Sequence, residues 1–238
     1  LLVVHCFAGC SSIDILDTIR DKGGEIDQPA ATPAPKGSSE YKRQQHAKAQ
    51  WLWTQRRPIV GTIAERYLRE VRGITCALPA TLAFLPARKS EHHPAMIAAF
   101  ALTDEPEPGV LGSPRGVISV HLTLLKPDGS GKAEIKKPKI MVGSPVGRPI
   151  IIAPPNDLFG LAICEGIEDA LTAHQLTGLG AWAAGAAGFM GELGAVVPDY
   201  IEAVTIFAHP DKAGQDGALE LATVLHQRGI DFAVEGLS

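Results

Sequence analysis

The sequence predicts an α/β fold, with a parallel sheet over residues 156–238 and a small mixed α+β region over 40–155 before it. Two observations carry this. After Leu158, short apolar runs (LAIC, GAWAA, AVTIFA, DFAV) alternate with segments of helical pattern at 167–177, about 188–195 and 214–228. Such alternation marks parallel strands joined by crossover helices. Before it, residues 82–125 hold two apolar runs, MIAAFAL and GVISVHLTLL, divided by the turn-rich TDEPEPGVLGSPRG. Runs bounded in this way read as strands.

Residues 1–22 read as a strand, a turn and a helix through Ile13, Ile15, Leu16 and Ile19, with Ser11 or Ser12 as its cap and Gly23-Gly24 as its stop. Residues 24–39 are rich in Pro, Ala, Ser and Gly without periodicity, the composition of a flexible linker. A helix is expected from Glu40 to about Trp53. Thr62 and Glu65 have the spacing of a capping box, opening a second helix through Tyr67 and Leu68 to Val71, which Gly73 ends. Pro127-Asp128-Gly129-Ser130-Gly131 is a turn, and RPIIIAPP a further strand closed by prolines.

No apolar run approaches the ~20 residues that span a bilayer, and no basic segment precedes an apolar stretch as in a signal peptide. Of the four cysteines only Cys6 and Cys10 are close in sequence, so no disulfide framework is indicated and a cytosolic location is expected. Cys164 ends an apolar run and reads as a small buried hydrophobe. The charge is unevenly distributed. Lys126, Lys132, Lys136, Lys137, Lys139 and Arg148 face only Asp128 and Glu134, whereas after residue 156 Lys212 and Arg228 are the only Lys or Arg. Such a division suits phosphate binding by the middle of the chain and metal binding by its end, and equally suits two solvated charged faces.

Two strand–loop–helix units carry the candidate chemistry. LAIC runs into Glu165-Gly166, and AVTIFA runs into His209-Pro210-Asp211-Lys212-Ala213-Gly214. In a parallel sheet the C-terminal strand ends share one edge, where ligands collect. Glu165 and Asp211 are therefore expected to meet, and clustered carboxylates bind Mg²⁺ together with phosphate groups. Asp216 is a possible helper, or an acid of the following helix's first turn. Glu168 and Asp169 are accounted for as acids at a helix start. The Gly/Ala-rich AWAAGAAGFMG lacks the Lys-Ser/Thr of a P-loop.

CEGIEDALTA followed by FAHPDKAGQDGA resembles the Toprim domain of primases, topoisomerases and related nucleases. Glu165-Gly166 matches that family's first motif, and Asp211 and Gly214 match the second Asp and the glycine of its Asp-x-Asp motif; His209 stands where the first Asp is usual. LLVVHCFAGC resembles the end of the zinc-binding domain at the front of bacterial and phage-type primases. RRPIVGTIAERYLREVRGI and HLTLLKPDGSGKAEIKKPKIMVGSPVGRPIIIAP resemble the region joining the two in phage and plasmid primase-like proteins. The resemblance implies four parts: 1–23, a remnant of the zinc domain; 24–39, a linker; 40–155, the middle domain; and 156–238, a Toprim domain. The chain opens inside a motif and stops just after the fourth strand, so a piece of a longer protein is expected.

What the resemblance implies is a DNA primase: metal-dependent synthesis of RNA primers on single-stranded DNA in replication, by nucleotidyl transfer. Glu165 and Asp211 would be catalytic and would hold Mg²⁺ or Mn²⁺, helped by Asp216. Lys132, Lys136, Lys137, Lys139 and Arg148 would hold nucleic-acid or nucleotide phosphates. Cys6 and Cys10 would be half of a zinc site completed in the full-length protein. Partners would be single-stranded template, nucleoside triphosphates and a replicative helicase, with no membrane. Two alternatives stay open: a Toprim module that His209 has left binding nucleic acid with weakened catalysis, and a Toprim-type nuclease. A topoisomerase would need a nucleophilic tyrosine, and Tyr41, Tyr67 and Tyr200 show no supporting motif.

Overall fold

A computed structural model describes residues 39–107, 109–145 and 147–236, and from Lys42 onward the chain is one unit. The expected zinc half-site, Cys6 and Cys10, and the linker up to residue 38 lie outside the described residues.

The first described element is helix α1, Ser39–Thr54. It buries Ala49 and Trp53, one turn apart, and Arg56 lies over the Trp53 ring 4.2 Å from its centroid. Helix α2, Ile63–Arg66, starts at Thr62, whose hydroxyl accepts from the Glu65 N–H at 3.5 Å. The Glu65 carboxylate reaches back to the Gly61 N–H at 2.7 Å, one residue before the partner of a standard capping box. The helix then widens into a π-turn, Tyr67–Val71, and ends at Gly73 with φ of 66°.

Four strands follow, β1 (Leu82–Leu85), β2 (Ala95–Leu102), β3 (Arg115–Leu124) and β4 (Lys139–Gly143), forming an antiparallel sheet in that order. β2 is buried on both faces, which explains its unbroken apolar sequence. Its Ala95, Ile97, Ala99 and Ala101 pack with Ala49 and Trp53 of α1, while Met96, Ala98 and Phe100 face the rest of the molecule.

The second sheet holds β5 (Ile150–Ala153), β6 (Gly160–Cys164), β7 (Gly180–Ala183), β8 (Ala203–Ala208) and β9 (Asp231–Gly236) in the order β5-β7-β6-β8-β9. β6, β7, β8 and β9 are parallel, and β5 runs antiparallel to β7. Helix α3 (Ile167–Thr177) packs on the face shared with β2, through Ile167, Ala170 and Leu171. The short α4 (Met190–Gly194) and the long α5 (Lys212–Arg228) cover the other face, where Leu193, Leu221 and Leu225 meet Ile163, Val204 and Ile206. The parallel unit thus has the predicted alternation, with one addition: RPIIIAPP belongs to this sheet. Its short apolar strand is closed by prolines and finds backbone partners on the free edge of β7. Among the described residues no helix is long and apolar enough to cross a membrane.

Candidate functional site

Pairing of Cys164 with Phe207 in the parallel β6–β8 ladder brings the two carboxylate-bearing strand ends side by side. Continued by one residue, this register sets Glu165 beside Ala208, on strands about 4.8 Å apart. The backbone of Glu165 is fixed from its other side as well. Ala184 N–H donates to the Cys164 carbonyl at 2.9 Å and Gly185 N–H to the Glu165 carbonyl at 2.8 Å, prolonging the β6–β7 ladder into the turn. Only glycine suits position 185: its φ is 81°, and a Cβ there would sit 2.6 Å from Phe100 Cζ. The half-buried Glu165 side chain makes no hydrogen bond or ion pair to a described residue, leaving both oxygens free for a ligand.

Asp211 caps α5. Its Oδ1 accepts from Gly214 N–H at 2.8 Å, so one oxygen is committed to the helix start, while the other makes no hydrogen bond to a described residue and the side chain is exposed. His209 turns to Asp169, with Nε2 and Oδ2 3.2 Å apart. Asp169 folds back over the α3 start, where any side chain at Gly166 would run into its carboxylate. Asp216 lies on the exposed side of α5 and pairs with Lys212 at 2.9 Å. Among the described residues no three His, Cys, Asp or Glu side chains are grouped to hold a metal ion. Mg²⁺ asks for less: one or two carboxylates suffice when water and substrate phosphates complete its shell. Glu165 and the free oxygen of Asp211 fit that role, not that of a closed protein cage. Cys164 is fully buried, and burial, with Asp169 adding to it, pushes its thiol far up, away from any nucleophilic role.

The expected phosphate-binding set divides. Lys136 and Lys137, in the β3–β4 connection, and Lys139, at the start of β4, are exposed and without an ion-pair partner among the described residues. Arg148 is at the other end of β3, donating to the Gly116 carbonyl at 3.1 Å. Lys132 is already taken: its Nζ lies 2.9 Å from Glu168 Oε1.

Glu168 is the residue that sequence reasoning passed over. An acid at a helix start is ordinarily solvated, yet this one is only 3% exposed and also accepts from the Tyr67 hydroxyl at 2.8 Å. Burial pushes its carboxyl up, but Lys132 and then Lys139 outweigh it and hold the group at about 2. The buried Tyr67 phenol is raised, by burial first and Glu168 second, and stays a donor. His121 shares this face of β3. Burial, with Lys139 adding to it, lowers its ring to about 4 against the raising effect of Glu168, and its Nδ1 lacks a partner among the described residues.

Residues 43–152 match a family model described as a domain of unknown function (DUF7146). No curated protein matches the chain. Solved structures similar to it include the primase fragment of the bacteriophage T7 primase-helicase protein, 14% identical with a TM-score of 0.41, over 71% of this chain and 59% of that one. A DNA primase domain from Pseudomonas aeruginosa is 12% identical with a TM-score of 0.46, over 82% and 70%. The DnaG catalytic core is 11% identical with a TM-score of 0.48, over 83% and 71%. The chain thus spans less than two thirds of the T7 fragment.

Proposed function

We propose that this chain is the central part of a DNA primase, joining ribonucleotides on single-stranded DNA at the edge formed by β6 and β8. The observation that carries the reading is the adjacency of Glu165 and the His209–Asp211 turn on neighbouring parallel strands. The Glu-Gly and Asp-x₂-Gly motifs that resemble the Toprim pattern sit at those two strand ends.

The residues divide the work. Glu165, whose backbone Gly185 holds, and the second oxygen of Asp211 would hold Mg²⁺ or Mn²⁺ together with nucleotide phosphates. When bound, the ion supplies charge stabilisation for a 3′-hydroxyl attacking an α-phosphate and for the leaving pyrophosphate. Lys136, Lys137 and Lys139 attract template or nucleotide phosphates through unneutralised charge. His209 holds one oxygen of Asp169 at the α3 start. A replicative helicase and an upstream zinc domain would act with the whole protein.

A second reading has its own observation. The engagement of Asp169 by His209 and the lack of a three-donor cluster among the described residues favour a Toprim scaffold that binds nucleic acid with weak catalysis. Primer synthesis from labelled ribonucleotides on single-stranded circular DNA, with Mg²⁺ and with Mn²⁺, separates the two. Labelled primers that appear only with metal support the primase. Retained DNA binding without primers supports the scaffold.

A further inference from the structure

The first turn of α3 carries two adjacent acids that point in opposite directions. Asp169 meets His209 beyond β8, and Glu168 turns inward to Lys132 and Tyr67. The inward contact joins three segments remote in sequence. Tyr67 opens the π-turn after α2, Lys132 follows the turn after β3, and Glu168 lies one turn past Glu165. The first two are tied to each other too, since Arg66 donates to the Asp128 carbonyl at 3.2 Å. Single π-turns within helices are frequent at functional sites, and this one places a phenol on a buried carboxylate.

Helix stability does not call for this arrangement. A solvated acid would serve the helix start as well, without the penalty of burial. Apolar residues of similar size commonly replace buried ion pairs without loss of stability. What the trio does fix is position: the α3 start, and with it the Glu165–Gly166 turn, is tied to the β3–β4 connection, which carries Lys136 and Lys137 and runs into Lys139. It also consumes the charge of Lys132.

We infer that Glu168 is a positioning residue of the candidate site, clamping the Glu165 turn to the basic β3–β4 connection through Lys132 and Tyr67, and that Lys132 belongs to this clamp and not to phosphate binding. The inference rests on the primase reading for its catalytic consequence and on geometry alone for the clamp.

Two local amides report on the clamp without any activity: Gly185, bonded to the Glu165 carbonyl, and Ala170, bonded to the Gly166 carbonyl at 3.1 Å. The full chain is compared with Glu168→Gln, Lys132→Met and the double variant Glu168→Met/Lys132→Met. The double variant is expected to fold and to melt somewhat below the wild type, because an apolar pair replaces the ionic one at little cost while the buried Tyr67 hydroxyl loses its acceptor. Its Gly185 and Ala170 amides are expected to exchange about tenfold faster or more, while β2 amides stay unchanged. In primer synthesis, kcat should fall about tenfold or more with nucleotide KM nearly constant, the sign of lost positioning. Glu168→Gln, which keeps its shape and the Tyr67 hydrogen bond, should show the same changes in smaller degree, and it decides the matter if the double variant does not fold. Unchanged exchange at both amides would overturn the clamp. A raised nucleotide KM with unchanged kcat in Lys132→Met would return Lys132 to phosphate binding and overturn its assignment. A wild type without primer synthesis would count against the primase reading only, and the exchange result would still decide the clamp.

Discussion

At Asp211 two roles meet in one side chain, and they can be separated. The carboxylate caps α5 and, on our account, also holds the metal. Asn caps a helix about as well as Asp, whereas Ala forfeits about 1 kcal/mol. Asp211→Asn should therefore keep its melting temperature and lose primer synthesis, while Asp211→Ala should lose both. Full activity in Asp211→Asn would confine the residue to capping. His209→Asp should tighten Mg²⁺ binding, since carboxylate oxygen suits this hard cation better than imidazole; titration of both proteins with Mg²⁺ checks this. An unchanged affinity would place residue 209 outside the metal shell. The placing of Glu165 and Asp211 past the ends of β6 and β8 was legible in the sequence, because each follows an apolar run and precedes a helix. Glu168 was not. An acid at a helix start has a sufficient local explanation, and its partner Tyr67 is 101 residues away.

The elements differ in how plainly their sequences announce them. β6 and β7 stand out because strands buried on both faces read as unbroken apolar runs; β8 is fully buried only at alternate residues and shows by its β-branched and apolar run before the next helix. β4 went unseen: KIMVG is short, begins with an exposed lysine, and follows a lysine-rich stretch that reads as a solvated loop. Its pairing with β3 sets Lys139 opposite Thr123 and Met141 opposite His121, completing the face on which His121 lies. That histidine gives the fold an acid-sensitive element. Its ordinary value is 6.5, and in the folded protein it is held at about 4. Between those values the unfolded chain binds more protons, so stability is full above pH 6.5 and declines as pH falls toward 4. Glu168 adds a second decline, from its ordinary 4.5 down to about 2, where its lowered carboxyl finally protonates. His121→Met should reduce the fall in melting temperature between pH 7 and 5. An equal fall in both proteins would refute the assignment. At Gly185, Ala should destabilise the protein by more than about 1 kcal/mol, because the left-handed backbone and Phe100 both oppose a Cβ. Chemical denaturation measures the difference.

At the scale of the whole molecule, one sheet carries an acidic edge and the other a basic connection. Net charge of −4 conceals this, because after residue 156 the acids are opposed only by Lys212 and Arg228, while the other lysines all lie before residue 140. If Lys136, Lys137 and Lys139 hold single-stranded DNA, changing all three to Gln should weaken binding. It should also flatten the salt dependence by about 2 in the logarithmic slope, at about 0.7 per phosphate released. A slope equal to wild type would move the DNA elsewhere. The two-sheet arrangement itself was only partly legible: alternation after residue 158 announced the parallel unit, but nothing local to 150–153 tells that strand which sheet to join. The most direct test of the central claim is primer synthesis by wild type and Glu165→Gln, side by side, with Mg²⁺ and with Mn²⁺, together with their melting temperatures. Glu165→Gln removes one charge and keeps the shape. The account predicts equal melting temperatures, metal-dependent primers from the wild type and none from the variant. Primers from both proteins in equal yield would contradict it.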